Sequence, residues 1–462
     1  MGDTSSSAPD SRPVPASRGQ ARPASALPTR ALPTRALPVG AFPLPFGFLL
    51  LPPGEETEPV RTGLLAGRLP EQWPDALRGH RAALAGDLDA ARTAFAGPDP
   101  VSRFNRFVLD PDTVDAAGLR ADLGADLGVL VDLVEFATSR SDTAPDPAGR
   151  TGEIKALLLA AVAVERLGAA PVPQHPPTND RVAAPGAPAG SVSAAGLLRE
   201  AIAEARAVSP ALAGVLHGAL AQACKQDGDA TGAVTALQAG LALLDGTDLA
   251  VARAEQHLEL GATFHELAAG DSSGMMAPGM LNQAVQHYHN ALQAVSAESA
   301  PEVWAAAHAG LATAYLTMPM NEASDQLRLG VAVGSLRSAL TVYTRDTHPA
   351  EWSSAQLNLA NALVYAPSKH QGDNLTEAVE LYEAVLETRS RDADPVGYAR
   401  ALANQGNALA HLGMFDHARA KLTEARFLFE EAQEWDATSS VRGLLNDLTR
   451  RQKDAQGVSA DA

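Results

Sequence analysis

The sequence predicts an all-α protein: a helical-repeat solenoid behind a disordered Pro/Ala-rich N-terminal tail. Three observations carry this. Hydrophobic residues make up 46% of the chain but aromatics only 5%, with alanine and leucine dominating, a composition that favours helix over sheet. Apolar residues recur at helical spacing from residue 192 onward. One pattern of paired helices recurs every 46 to 48 residues, the mark of a stacked array. The 54 acidic and 36 basic residues give a formal charge of -18, which disfavours nucleic acid and anionic membrane as general partners. Cys224 is the single cysteine, which excludes an intrachain disulfide and a cysteine-built metal site.

Residues 1–60 contain 12 of the 32 prolines and repeat Ala-Leu-Pro-Thr-Arg in tandem at 26–30 and 31–35. Proline fixes φ and removes backbone donors, so this stretch is expected to be a disordered or polyproline-like tail. Its acidic and basic residues balance, and the net charge lies beyond it. The patch Phe42, Leu44, Phe46, Phe48, Leu49 and Leu50 is interrupted by Pro43 and Pro45. It is too short to cross a bilayer and lies too far from the start for a secretory signal. It is expected to dock on the body of the protein or on a partner.

Residues 61–168 read as an N-terminal helical region. Trp73, Leu77 and Leu84 mark one helix, Gly86-Asp87 a turn, and Leu88, Ala91 and Phe95 a second helix, which Gly97 to Pro100 end. Long periodic stretches follow at about 114–138 and 152–168. Residues 169–191, rich in Pro, Ala and Gly, form a linker or loop. From 192 to 454 nearly everything is helix, interrupted at Gly228-Asp229, Gly246, Gly270 to Gly274, Pro319, His348-Pro349, Gly372-Asp373, Asp394-Pro395 and Gly413. The final helix is expected to end near 452, and 455–462 to be disordered.

Three units overlay. Pro301-Glu-Val-Trp304 matches Pro349-Ala-Glu-Trp352 at a spacing of 48, and Pro395-Val-Gly-Tyr398 follows at 46. In the second helices Ala284, Tyr288 and Ala291 correspond to Ala332, Leu336 and Ala339, then to Ala378, Tyr382 and Val385. In the last unit Leu402, Gly406, Leu409, Gly413, Phe415, Ala418, Leu422 and Ala425 fall at a regular spacing, with Gly406 and Ala418 where two helices approach closely. By these positions, and by the run Leu357-Asn-Leu-Ala-Asn361, the C-terminal half resembles the tetratricopeptide-repeat family. With units longer than the family's usual ~34 residues, it looks like the repeat arrays of large bacterial regulatory and signalling proteins. The resemblance implies a right-handed solenoid whose first helices line a concave, peptide-binding groove.

On that implied inner wall Asn361 and Asn407 occupy equivalent places and Thr313 the place before. Asn358 and Asn404 form a second matched pair. An asparagine amide offers donor and acceptor together, so a ladder of them can hold an extended peptide by its backbone. The same residues can equally bond to neighbouring helices. Arg400, one turn before Asn404, is a candidate partner for a carboxylate.

His257, His265, His287, His289 and His308 fall in one stretch, but no pair has the His-x-x-x-His spacing of a helical metal site. His257, His265 and His308 remain weak metal candidates, beside the reading as ordinary groove or surface histidines. Phosphate-binding loop, dinucleotide fingerprint and nucleophile elbow are all missing from the sequence. The expected function is a non-catalytic, cytoplasmic adaptor or scaffold that binds a peptide or protein partner, without a cofactor, direct nucleic-acid contact or membrane insertion. The alternatives are a homodimeric assembly protein, or an enzyme or metal-dependent binder built around the three histidines.

Overall fold

The computed structural model describes residues 49–169, 193–319, 325–366, 368 and 370–460. Among them there is no strand. They form two compact units, residues 49–267 with 293–295, and residues 268–292 with 296–462. Phe42, Leu44, Phe46, Phe48 and nearly all of the stretch 169–191 lie outside the described residues.

The N-terminal unit contains α1 (Glu58–Leu65), α2 (Arg78–Leu84), α3 (Leu88–Ala94), α4 (Pro100–Leu109), α5 (Ala116–Leu127), α6 (Val129–Ala137), α7 (Gly152–Ala169), α8 (Ala194–Arg206), α9 (Pro210–Gln226), α10 (Ala230–Leu244) and most of α11 (Ala250–Gly270). The expected hairpin is present as α2 and α3, with Asp87 capping Ala90. The stretch 114–138 is two helices rather than one, and Gly124, at φ +70°, interrupts the first of them, a conformation glycine adopts without steric cost. Sequence reading passed over α4, although Asp99 caps it and Pro100 opens it.

Leu49 and Leu50 are buried, and Thr57 bonds back to Pro52 and Gly54 before α1 starts. Residues 49–60 are therefore part of the body rather than of a disordered tail, because their leucines join its core. That core runs from Leu49 to Leu260, and α7 packs on α8. The proline-rich stretch 169–191 thus separates two helices that share a core.

The C-terminal unit contains most of α12 (Ala277–Ala294), then α13 (Pro301–Thr317), α14 (Asp325–Ala339), α15 (Pro349–Tyr365), α16 (Gln371–Thr388), α17 (Pro395–His411), α18 (Phe415–Glu431) and α19 (Trp435–Ala460). Pro301, Pro349 and Pro395 each occupy the first helical position, where the missing N–H has no intrahelical partner to lose. Each odd-numbered helix from α13 to α17 packs on the even-numbered helix that follows it and touches the next odd-numbered helix. The helix α19 continues past the expected end at 452, since residues 453–460 contain no proline to stop it.

The repeat explains the packing. Ala284, Ala291, Ala332, Leu336, Ala339, Ala378, Val385, Ala418 and Ala425 have no accessible surface, and Tyr288, Tyr382 and Leu422 almost none. A Cβ on Gly406 would lie 2.8 Å from Leu422 Cγ and 3.2 Å from the Ala418 carbonyl oxygen. At Gly310 it would lie 2.4 Å from Tyr288 Cε1.

Two outcomes follow from this packing. Gly406→Val should destabilise the protein by about 1–3 kcal/mol through overpacking. Gly443→Ala on α19, where an added Cβ meets nothing within 4 Å, should be neutral or stabilising by up to ~1 kcal/mol; urea unfolding followed by circular dichroism compares the two. The second outcome concerns Glu153 in the first turn of α7. Its Oε1 is buried without a hydrogen-bond partner, and burial pushes its carboxyl up from near 4.5 to about 9, against the pull of Arg61. Folding therefore takes up a proton, and stability falls as pH rises from about 4.5 towards about 9. Glu153→Gln should flatten that fall by about 1–3 kcal/mol, read as urea midpoints across the pH range.

Candidate functional site

The asparagines singled out in the sequence come together in the C-terminal unit, bonded across successive odd-numbered helices. Asn358 Nδ2 on α15 donates to Thr313 Oγ1 on α13 at 3.4 Å. Asn404 Nδ2 on α17 donates to Asn361 Oδ1 on α15 at 2.9 Å. These are one interaction made twice, because 313 corresponds to 361 and 358 to 404. A third rung follows, from Asn407 Nδ2 to Tyr365 Oη at 3.1 Å. All six side chains are at least partly shielded, and Asn404 is 4% exposed.

Helix periodicity produces this line. Arg400, Asn404, Asn407 and His411 follow one another at steps of 4, 3 and 4 residues on one face of α17. Asn358, Asn361 and Tyr365 repeat the last three places on α15, 46 residues earlier. Tyr365 and His411 meet edge to face, with ring centroids 6.5 Å apart. The Arg451 guanidinium on α19 reaches both electrostatically: burial first and then Arg451 lower the His411 pKa, while burial raises that of Tyr365 against the bond from Asn407.

Asn361 is held from a second side. Tyr382 on α16, with its ring in the core, donates its hydroxyl hydrogen to Asn361 Oδ1 at 2.6 Å. With two bonds on Oδ1, the amide orientation is set and Nδ2 points to the other side. Asn407 is the converse, with Nδ2 committed to Tyr365 and Oδ1 remaining. The pair thus presents one donor and one acceptor. Arg400 is half-buried and has no ion-pair partner among the described residues. Its charge reaches Arg389, whose pKa is lowered first by burial. Arg389 itself is occupied by Asp394 and Ser353.

The histidine candidates separate. His257 and His265 lie on α11 in the N-terminal unit, and His308 on α13 in the C-terminal one. His308 stacks edge-on against Trp304, one turn earlier, at 4.4 Å between ring centroids. Among the described residues no group of three His, Cys, Asp or Glu side chains lies together as a metal site. Cys224 is buried, and burial raises its thiol pKa, which keeps it protonated and unreactive.

Tyr365, Tyr382, His411 and Arg451 were not found from sequence. Tyr365 and His411 carried a signal, since they stand one turn after Asn361 and Asn407 in the same place of the 46-residue unit. Neither a family model nor a curated protein matches the chain.

The rungs should behave as one network. Asn404→Ala is expected to cost about 1–3 kcal/mol, because it leaves the Asn361 oxygen short of a partner. A double-mutant cycle with Asn361→Ala should return a coupling energy of about 0.5–3 kcal/mol, whereas independent side chains would give additive losses in thermal unfolding.

Proposed function

We propose that the C-terminal unit is a tetratricopeptide-like, right-handed repeat module that holds an extended peptide from a protein partner along α13, α15 and α17, without catalysing a reaction. The observation that carries this reading is the half-committed state of Asn361 and Asn407. Each amide is oriented by bonds inside the protein, and together they retain a donor and an acceptor for one C=O and one N–H of a peptide backbone. Amides oriented in advance lose little freedom on binding. The free guanidinium of Arg400, one turn along the same helix face, suits a carboxylate of the ligand. Among the described residues no helix is long and apolar enough to cross a membrane; the cytoplasmic setting is part of the proposal.

The proposal is tested by two substitutions, of which the first spares the internal bonds and the second also removes the bond to Tyr365. Asn361→Asp keeps the oxygen that accepts from Tyr382 and Asn404 but removes the donor meant for the ligand. Affinity capture from the native cell extract, compared between the parent chain, Asn361→Asp and Asn407→Ala, should show partner polypeptides retained by the parent and reduced about ten-fold by either variant. The same polypeptides held equally by all three chains would refute the assignment of these residues.

A further inference from the structure

A second backbone-reading site lies in the N-terminal unit, already occupied. Leu50 belongs to a stretch, 49–53, with no regular secondary structure. Its N–H donates to Asn105 Oδ1 at 2.6 Å, and its carbonyl accepts from Asn105 Nδ2 at 2.8 Å. His80 Nε2 lies 3.0 Å from the same carbonyl oxygen. One asparagine on α4 thus reads both backbone groups of a residue 55 positions away, and reads nothing of its side chain.

The site is built rather than incidental. Asn105 is 1% exposed and His80 4%; both ends of the Asn105 amide and His80 Nε2 are engaged there, while His80 Nδ1 is buried without a hydrogen-bond partner. The His80 ring is braced edge-on by Phe95 at 5.1 Å. Burial lowers the His80 pKa to about 4, against the opposing effect of the Leu50 carbonyl, so the ring is neutral near pH 7. The ligand side is equally prepared. Pro52 and Pro53 hold Leu51 and Pro52 in extended conformations, and Leu49 and Leu50 are both buried in the core. An extended leucine segment fixed through its main chain is how a peptide sits in a receptor groove. Every copy of the chain carries an equally complementary segment, the condition for exchange of an identical element between protomers.

We propose that Asn105 and His80 form a peptide site whose resident ligand is the chain's own Leu49–Leu51 segment, and that this segment exchanges with the same segment of a second copy. The reading is independent of the groove assigned to the C-terminal unit.

The probe is a fluorescent peptide of residues 49–56, offered to the full-length chain and to a full-length Leu49→Ser/Leu50→Ser variant. The variant should bind it saturably and about ten-fold more tightly than the parent, whose site is filled at an effective concentration of order millimolar. A peptide N-methylated at Leu50 has lost the hydrogen that Asn105 accepts and should bind about ten-fold more weakly. Absence of saturable binding to a variant that still unfolds cooperatively, or equal binding of the N-methylated peptide, would overturn the site. Should the variant fail to fold, millimolar peptide is added to the parent chain instead. Faster hydrogen exchange at the Leu50 and Leu51 amides supports displacement, and unchanged exchange overturns it. Two differently tagged parent chains mixed at high concentration should co-purify and be released by excess peptide; peptide binding without co-purification overturns exchange between copies.

Discussion

The close approach of paired helices is the constraint on which the rest of the C-terminal unit depends. Gly310 and Gly406 leave no room for a Cβ; Ala360, at the place of Gly406 one unit earlier, is fully buried, as are Ala378 and Ala418 on the second helices. Small residues let backbones approach, so dispersion contacts form along whole helix faces instead of around a few large side chains. That is how a chain with 5% aromatic residues builds a core. The same spacing sets the separation of α13, α15 and α17. Asn358–Thr313 and Asn404–Asn361 form the same bond at two successive steps because the helix pairs repeat their geometry.

Within this scheme Tyr382 has two functions. Its ring takes the wedge position that Tyr288, Leu336 and Leu422 take in the other units, and its hydroxyl fixes Asn361. A leucine there would fill space but leave the amide held by Asn404 alone. The Tyr382 pKa is raised well above its ordinary value by burial, so the hydroxyl remains a donor throughout the physiological range. Core packing and the orientation of the Asn361 amide are thereby joined in one side chain.

The sequence revealed the helical architecture because its signals were local. Pro301, Pro349 and Pro395 mark helix starts, and the repeat pattern assigns Ala332, Ala378 and Ala418 to buried contacts. It also brought Asn358, Asn361, Asn404 and Asn407 into one line. It did not reveal that these asparagines bond to one another, since the choice between a neighbouring helix and a ligand depends on distances between helices. Tyr365 and His411 were missed because an aromatic and a histidine share a position without sharing chemistry. Asn105 was missed with its helix: α4 is ten residues long, and its apolar residues Phe104, Phe107, Val108 and Leu109 follow a proline-rich turn that reads as a loop. The burial of Leu49 and Leu50 could not be seen from composition, because their partner lies 55 residues further on.

Asparagine is used in two ways in this chain, and burial decides which. Asn105 spends both ends of its amide on one residue of backbone, sealed from water, and what it holds is a segment of the same chain. Asn361 and Asn407 each spend one end on the protein and remain at a half-exposed face. A fully committed, buried amide contributes to stability, because breaking either bond strands a polar group. A half-committed amide at a water-accessible face costs little when unliganded, since water satisfies its remaining group, and under the proposed function it is oriented before a peptide binds. Seating an extended segment at Asn105 shows that an amide held on a helix of this chain can read peptide backbone. At Asn361 and Asn407 the same chemistry is divided between two side chains, as the proposed binding of a segment that comes and goes requires.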